Sequence, residues 1–223
     1  MQESVPHGNP TASENHHTAS TKPKKPPREE NWRSIATTLL ILLIAPLVAI
    51  LLTAFVFQSY QVDGPSMQTT LSNNDRLIVW KLPRSWARIT GHDYVPKRGD
   101  IVIFNESNLG SAGDGTGSKQ LIKRVIGLPG ERVTIQNGKY VVYNAQHPNG
   151  FGPDQQASYG KVIGDTEPET NVTSWNIGSH SIFVSGDNRP DSLDSRYFDT
   201  VPLKDVVGKL SIRVLPISQA KRF

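Results

Sequence analysis

The sequence predicts a mainly β domain, an antiparallel β-sheet or barrel-like catalytic domain with few short helices, behind one N-terminal transmembrane helix. A single long apolar segment, residues 35–57, contains no charged residue. Short runs rich in Val and Ile follow it and are separated by Gly, Pro and Asn. No segment after residue 57 keeps a 3.6-residue apolar period. Since the chain has 223 residues, one domain of ordinary size and an anchor account for its length.

Residues 35–57 predict a membrane-spanning helix. As a helix they would extend about 34 Å, enough for a bilayer core of about 30 Å. Pro46 lies near the middle, where a membrane helix tolerates it. A cleavable secretory signal is the alternative, but the run exceeds a typical signal core and no small-x-small site follows it directly. Basic residues precede the span and none occurs in residues 58–75, so the positive-inside bias predicts a cytoplasmic N-terminus and an extracytoplasmic body; they are Lys22, Lys24, Lys25, Arg28 and Arg33.

The composition limits the function classes. Residues 1–34 are polar, rich in Pro and Lys, and almost free of large apolar side chains, which predicts a disordered cytoplasmic tail. The formal charge of +4 is small and partly comes from that tail, so no nucleic-acid partner is expected. The absence of cysteine excludes thiol catalysis, disulfides and zinc-thiolate sites.

Residues 58–223 are predicted to form the β-rich domain. Asn137-Gly138 marks a hairpin. Residues 107–119 are predicted to form a Gly/Ser loop. Residues 144–180 are a long polar region that is predicted to form a small subdomain or a flap. Asn171 begins a glycosylation sequon that we do not expect to be used. The predicted strands are residues 76–81, 99–104, 121–126, 132–135, 139–143, 181–185 and 206–214.

Ser66 and Lys123 are the two candidates for a catalytic role that the residues themselves suggest. Ser66 follows a turn of Asp, Gly and Pro directly after the membrane segment. Lys123 lies in a predicted strand, where alternation puts it on one face with Leu121 and Val125. Either its amine reaches solvent from an edge strand, or it is buried with a lowered pKa and serves as a base for a serine.

A third polar cluster follows the strand at residues 181–185. Its residue types form tight turns, and its charges suggest a bidentate ion pair that fixes the loop. Histidine is absent from this cluster and from the Ser66 and Lys123 segments, and His92, His147 and His180 lie in loop-like sequence. A Ser-His-Asp triad therefore lacks a base. The charged residues of the cluster are Asp187, Arg189, Asp191, Asp194 and Arg196.

Taken in order, these segments resemble the bacterial type I signal peptidases, the Ser-Lys enzymes of peptidase family S26. The resemblance implies that Ser66 is the nucleophile and Lys123 the general base. It also implies that Ser192 holds the lysine amine by a hydrogen bond, with Asp187, Asp194 and Arg196 supporting the site. The matching blocks are Gly64-Pro65-Ser66-Met67 with Thr70-Leu71, residues 98–104 (RGDIVIF), residues 123–131 (KRVIGLPGE), and Gly186-Asp187-Asn188-Arg189 followed by Asp194-Ser195-Arg196.

Three positions depart from the family pattern. Thr69 stands where Pro is frequent, and Pro190 where an acidic residue is usual. Gly64 replaces the Ser or Thr with which many relatives complete the oxyanion hole. The resemblance then implies an oxyanion hole formed by the Ser66 backbone N–H, with a further contribution from the backbone or a water molecule at Gly64.

The resemblance implies a membrane-anchored serine endopeptidase that removes signal peptides after small-x-small sequences, without cofactor or metal. Its expected partners are preprotein signal peptides and the lipid bilayer of the plasma membrane, with the secretion machinery a further candidate. Val62, Met67, Trp80 and Trp86 are candidates for the cleft lining or for lipid contact, with core packing as the alternative. Two other functions remain open: a self-cleaving protease related to SOS repressors, and an inactive anchored β-domain that binds envelope peptides.

Overall fold

The structure, a computed structural model, describes residues 28–107, 119–155, 162–168 and 172–223. The described part of the chain divides into two compact units, with the boundary between Ala45 and Pro46. Most of the predicted tail, most of the predicted Gly/Ser loop, parts of the 144–180 region and Asn171 lie outside the described residues.

The N-terminal helix is longer than the apolar segment. Helix α1 spans Arg28–Leu51 and continues as a π-helical segment, Leu52–Val56. The prediction of disorder is therefore wrong for residues 28–34, which contain neither Pro nor Gly and into which a helix extends at little cost once it has nucleated. Phe57 begins a strand instead of ending the helix. Residues 32–56 are long and apolar enough to cross a membrane.

The domain is mainly antiparallel β-structure, as predicted, and its described helices after residue 57 are short. Helix α2 spans Leu82–Thr90 and helix α3 spans Ser195–Phe198. All named strand pairs are antiparallel. The described strands are β1 Phe57–Gln61, β2 Arg76–Trp80, β3 Ile101–Glu106, β4 Lys119–Gly127, β5 Arg132–Gln136, β6 Lys139–Tyr143, β7 Ser174–Asn176, β8 Ser181–Ser185, β9 Val201–Pro202, β10 Val206–Leu215 and β11 Lys221–Arg222.

The strands form two sheets. The larger sheet follows the open path β1-β2-β10-β3-β4-β8-β9, with β11 beside β10. The smaller sheet has the order β6-β5-β7. Each strand run that the sequence predicts is present. The elements whose positions were not predicted are β1, β7, β9, β11, α2 and α3.

Besides a small cluster of Val79, Ile103 and Val207, three clusters of buried side chains stabilise the domain. One lies under the centre of the larger sheet and includes Phe104 and Val184. A second contains Tyr140, Phe183 and Trp175, and so joins residues of the two sheets. The third buries Met67 and Leu71 with neighbouring strand residues, which holds the turn that carries Ser66. Burial of apolar surface on both sides of Ser66 thus fixes the position of an otherwise irregular segment.

The predicted small subdomain or flap is partly integrated into the domain. Within the 144–180 region, Phe151 bridges Val142 of β6, and β7 pairs with β5. Ile163 forms a parallel bridge to Asn188, in the polar loop after β8. The described parts of this region therefore connect the small sheet to that loop.

Candidate active site

The turn that carries Ser66 is rigidly held. The Gln68 N–H donates to Pro65 O at 3.0 Å, and the Leu71 N–H donates to Met67 O at 2.8 Å. Met67 and Leu71 are fully buried beside it. Gly64 has a φ of +99°, a conformation that glycine adopts without strain. Ser66 itself is half-buried and lines an open cleft.

Lys123 lies beside that serine. It occupies the middle of β4, paired with Val102 of β3, and only 3% of its surface is exposed. Its Nζ is 2.8 Å from Ser66 Oγ and 3.1 Å from Ile122 O. The alternative in which the amine reaches solvent is wrong, because the cation is enclosed between β4 and the Ser66 turn.

Burial changes the acid-base behaviour of this lysine. Desolvation disfavours the ammonium and lowers the pKa of Lys123 to about 8, with Asp194 and Asp187 partly opposing the change and Lys119 adding to it. At neutral pH roughly a tenth of such amines are neutral. A neutral amine in hydrogen-bond contact with a serine hydroxyl can accept its proton, which is the first requirement for serine nucleophilic catalysis without histidine.

Arg124, the neighbour of Lys123, is neutralised by an ion pair. Its Nε and Nη2 donate to the Asp187 carboxylate at 2.7 and 2.6 Å, and both side chains are buried. Thr70 Oγ1 donates to the same carboxylate at 2.5 Å, and Arg124 Nη1 donates to Gly99 O at 2.8 Å. Asp187 therefore joins β4, the segment after Ser66 and the polar loop.

Asp194 and Arg196 form the second buried ion pair, as the resemblance implies. Arg196 Nε and Nη2 donate to the two Asp194 oxygens at 2.9 and 3.0 Å. The same carboxylate accepts the Ser185 hydroxyl at 2.8 Å and the Gly186 N–H at 3.1 Å. The pair thereby fixes the end of β8 against the start of the loop.

Ser192 contacts the site differently from the implied arrangement. Its Oγ accepts the Gly186 N–H at 3.1 Å. Within the described residues, the Lys123 amine bonds only Ser66 Oγ and Ile122 O, so the implied bond from Ser192 is not formed. A Cβ on Gly186 would lie 2.3 Å from Ser192 Oγ and 2.4 Å from Ser66 O. The absence of a side chain at Gly186 allows the loop to approach Ser66 closely.

Arg189 contributes a contact that the sequence did not indicate. Its guanidinium is fully buried and pairs with Asp154 at 2.9 and 2.6 Å. It also donates to Thr166 Oγ1 at 2.7 Å and lies over the Tyr140 ring at 4.6 Å. Asp154 and Thr166 belong to the polar 144–180 region, so this region supports the loop. No local pattern could have found a pair separated by 35 residues.

Backbone donors near Ser66 were expected at two positions. The Gly64 N–H donates to Asn73 Oδ1 at 3.0 Å, so the help expected from Gly64 is not present. The Ser66 N–H makes no hydrogen bond within the described part of the chain, whereas Ser66 O accepts the Asn188 N–H at 3.0 Å. The free Ser66 N–H therefore lies next to the hydroxyl, at a position suited to a developing oxyanion.

The cleft beside Ser66 has a volume of about 310 Å³. One wall is formed by residues 60–66 and the other by residues 119–123 of β4. Val62 lines it, while Met67 is core, and neither Trp80 nor Trp86 contributes to it. No histidine of the described residues lines the cleft, so the site offers a lysine and not an imidazole as its base.

A family model for signal peptidase, peptidase S26, matches residues 35–215. The chain belongs to this family. A signal peptidase I of Bacillus caldolyticus is 34% identical over 79% of this chain and 89% of its own length, and a probable signal peptidase I-1 of Synechocystis is 30% identical over 84% and 86%. The crystal structure of a signal peptidase I from Enterococcus faecalis V583 is 27% identical over 52% of this chain and 97% of that chain, with a TM-score of 0.35.

As a signal peptidase I, the chain is a serine endopeptidase that acts on signal peptides. Two of the sequence blocks of this peptidase are joined by Arg98, whose Nη2 binds the Glu131 carboxylate at 2.5 and 2.6 Å. Glu131 also accepts the Leu128 N–H at 2.8 Å. These charged residues hold the segments around β3 and β4 together and do not line the cleft.

The buried pair between Arg189 and Asp154 gives a prediction for the peptidase. Asp154→Ala is expected to lower the free energy of unfolding by about 2–3 kcal/mol, because it removes two charge-assisted hydrogen bonds from a buried guanidinium. Denaturant unfolding in detergent micelles measures this change. Asp165→Ala, in the same region but exposed, is the control and should change stability by less than about 0.5 kcal/mol. Equal effects of the two substitutions would contradict a supporting role for Asp154.

Proposed function

We propose that the chain is a membrane-anchored signal peptidase in which Ser66 is the nucleophile and Lys123 the general base. The observation that carries the proposal is the 2.8 Å contact between Ser66 Oγ and a buried Lys123 Nζ whose pKa is lowered to about 8. The family match supplies the reaction class, and the site geometry supplies the candidate residues.

The proposed reaction follows from these positions. Ser66 Oγ attacks the scissile carbonyl carbon while Lys123 Nζ takes its proton, and the Ser66 N–H donates to the oxyanion. The Lys123 ammonium then gives the proton to the leaving amine, which leaves an ester on Ser66. Lys123, neutral again, takes a proton from a water molecule whose oxygen bonds to the acyl carbon. The bond between that carbon and Ser66 Oγ then breaks, Lys123 returns the proton to Ser66 Oγ, and the product acid loses its proton to solvent as the new carboxylate.

The substrate is proposed to bind as an extended strand. Residues 119–123 of β4 pair with β3 along one edge, whereas pairing with β8 begins at Arg124. The other edge of residues 119–123 faces the cleft, where a peptide can add as a further strand and place alternate side chains against the wall. Because the cleft is small and is lined by Leu77, Ile103 and Leu121, we expect small-x-small sequences such as Ala-x-Ala to fit best.

Anchoring is proposed from the apolar helix. Residues 32–56 are long and apolar enough to span a bilayer, and basic residues concentrate before them. We therefore infer a cytoplasmic N-terminus and an extracytoplasmic catalytic domain at the plasma membrane. Only eight residues separate Phe57 from Ser66, so the nucleophile stays near the membrane surface, where cleavage sites of preproteins emerge.

The direct test is cleavage of a preprotein with an Ala-x-Ala site by the purified full chain, measured against pH. We expect cleavage only after the second Ala, and kcat/KM that rises with pH and levels off above a midpoint near the Lys123 pKa of about 8. The sign follows because the base must be neutral, and below the midpoint the rate should fall about tenfold per pH unit. Replacing both small residues by Phe is the control and should abolish cleavage.

Two results would contradict the proposal. An inert wild-type chain would favour the alternative of an anchored domain that binds envelope peptides. A rate that falls as the pH rises from about 6 to about 9 would show that a protonated group, and not a neutral lysine, limits the reaction.

A further inference from the structure

Helix α2 presents its apolar side to the outside of the domain. Leu82, Trp86 and Ile89 recur at helical spacing and therefore share one face. Their exposed fractions are 41%, 66% and 74%. In a helix that packs on a water-soluble domain, such a face normally points inward.

Helix α2 is attached to the rest of the domain by hydrogen bonds from half-buried polar residues. Ser85 Oγ donates to Phe55 O at 3.0 Å, and Arg84 Nη2 donates to Lys204 O at 3.3 Å. Arg84 and Ala87 are half-buried on the side away from the apolar face, and Ser85 flanks that face. The attachment of α2 to the domain thus leaves three large apolar side chains substantially exposed on one face of the helix.

The position of α2 identifies the environment of this face. At the start of the helix, the Lys81 N–H donates to Val56 O at 2.8 Å. Together with the Ser85 contact to Phe55, this bond ties α2 to the last residues of the apolar span. A helix held at the end of a membrane-spanning segment lies at the level of the lipid headgroups, where amphipathic helices bury their apolar face.

The charges around α2 favour the same environment. Residues 76–91 contain four basic residues and no acidic one. Arg88 is exposed, and Trp86 is a residue type enriched at membrane interfaces. Phe57 and Trp80, which are also partly exposed, stack edge to face at 5.3 Å where the span ends. Aromatic, aliphatic and basic side chains thus occur together, as in helices that bind anionic lipid surfaces.

We propose that α2 is an interfacial membrane helix that inserts Leu82, Trp86 and Ile89 into the bilayer containing the N-terminal anchor, with its basic residues toward anionic headgroups. This inference rests on the proposed membrane anchor. It adds a second attachment, which restricts rotation of the catalytic domain about the short connection after the span and keeps the cleft close to the membrane.

The test uses the absence of cysteine from the chain, since any introduced cysteine is unique. Full-length Ile89→Cys and Arg88→Cys are each labelled with an environment-sensitive fluorophore and reconstituted into vesicles of phosphatidylcholine and phosphatidylglycerol. At position 89 we expect blue-shifted emission, quenching by lipids with a nitroxide near the top of the acyl chain, and protection from aqueous iodide. The label at position 88, on the polar side, should be quenched by iodide.

Equal iodide quenching at both positions, without lipid quenching, would overturn the proposal. Protection of position 89 from both quenchers would also overturn it, and would indicate a protein partner or a second copy on this face. Alkaline extraction of the same vesicles tests the N-terminal anchor separately, because a chain released by alkali lacks the anchor whatever α2 does.

A functional comparison separates this inference from the peptidase proposal. Trp86→Ser combined with Ile89→Ser should cleave a soluble peptide in detergent at the native rate, but a membrane-inserted preprotein several-fold more slowly. Val172→Ser, an exposed apolar residue outside α2, is the matched control and should leave both rates unchanged. Unchanged cleavage of both substrates, or an equal loss of cleavage for both, would contradict a role for α2 at the membrane.

Discussion

Ser66→Ala is expected to lower the kcat of preprotein cleavage by about 10⁴- to 10⁶-fold, and Lys123→Met by a similar factor. The two groups share one hydrogen bond and act in the same proton transfer, so neither side chain accelerates the reaction without the other. The double variant should therefore be no less active than either single variant. Purified proteins and an Ala-x-Ala preprotein, followed under single-turnover conditions, measure all three rates.

Lys119→Ala is the comparison for the loss of a positive charge. Lys119 lines the same cleft but is exposed, and its charge helps to lower the pKa of Lys123. Its removal should change kcat by far less than the loss of Lys123, and should move the midpoint of the pH profile to higher pH. A large loss in Lys119→Ala with an active Lys123→Met would reverse the assignment of the base.

Stability distinguishes a chemical role of Lys123 from a structural one. Because the folded state lowers the pKa of Lys123, burying the ammonium costs free energy below pH 8, and this cost disappears only as the pH rises toward the value of an unfolded lysine. Lys123→Met keeps most of the side-chain volume without the charge. At pH 7 it should therefore be inactive and at least as stable as the native chain, whereas a destabilised variant would indicate that the lysine is mainly structural.

The sequence predicted the strands because their signal is local. Runs of Val and Ile bounded by turn residues gave each predicted strand, and the Asn137-Gly138 turn gave the β5–β6 hairpin. Strand β1 was missed because Phe57 follows the apolar helix without any turn residue. Strand β7 has three residues and α2 has nine, too short for a clear period.

The site was predictable only in part, for a different reason. Alternation put Lys123 on one face with Leu121 and Val125, but the partners that decide the roles of the charged residues in β4 are distant in sequence. Ser66 is 57 residues from Lys123, and Asp187 is 63 residues from Arg124. Only the resemblance to a family connected these segments. The support from Asp154 and the bond that occupies the Gly64 N–H depend on loop conformations, which residue types alone do not determine.

Asp187→Asn is expected to lower the free energy of unfolding by about 3–5 kcal/mol, because it removes the negative charge that accepts two hydrogen bonds from the buried guanidinium of Arg124. The substitution is nearly isosteric, so the loss reflects charge and not a cavity. Asp100→Asn is the matched control. Its partner Lys209 is partly exposed, and solvent limits the cost there to about 1 kcal/mol or less.

The same substitution tests how the ion pair and the reaction are connected. The Asp187 charge raises the pKa of Lys123, so removing that charge should lower this pKa and shift the midpoint of the remaining activity to lower pH. A larger fraction of the Lys123 amine would then be neutral at pH 7. A fall in kcat despite this shift means that Asp187 acts by holding Ser66 and Lys123 in place, through Thr70 and Arg124. An Asp187→Asn chain that matches the native protein in stability, kcat and pH midpoint would show instead that the Ser66 turn and β4 are positioned by the apolar core alone.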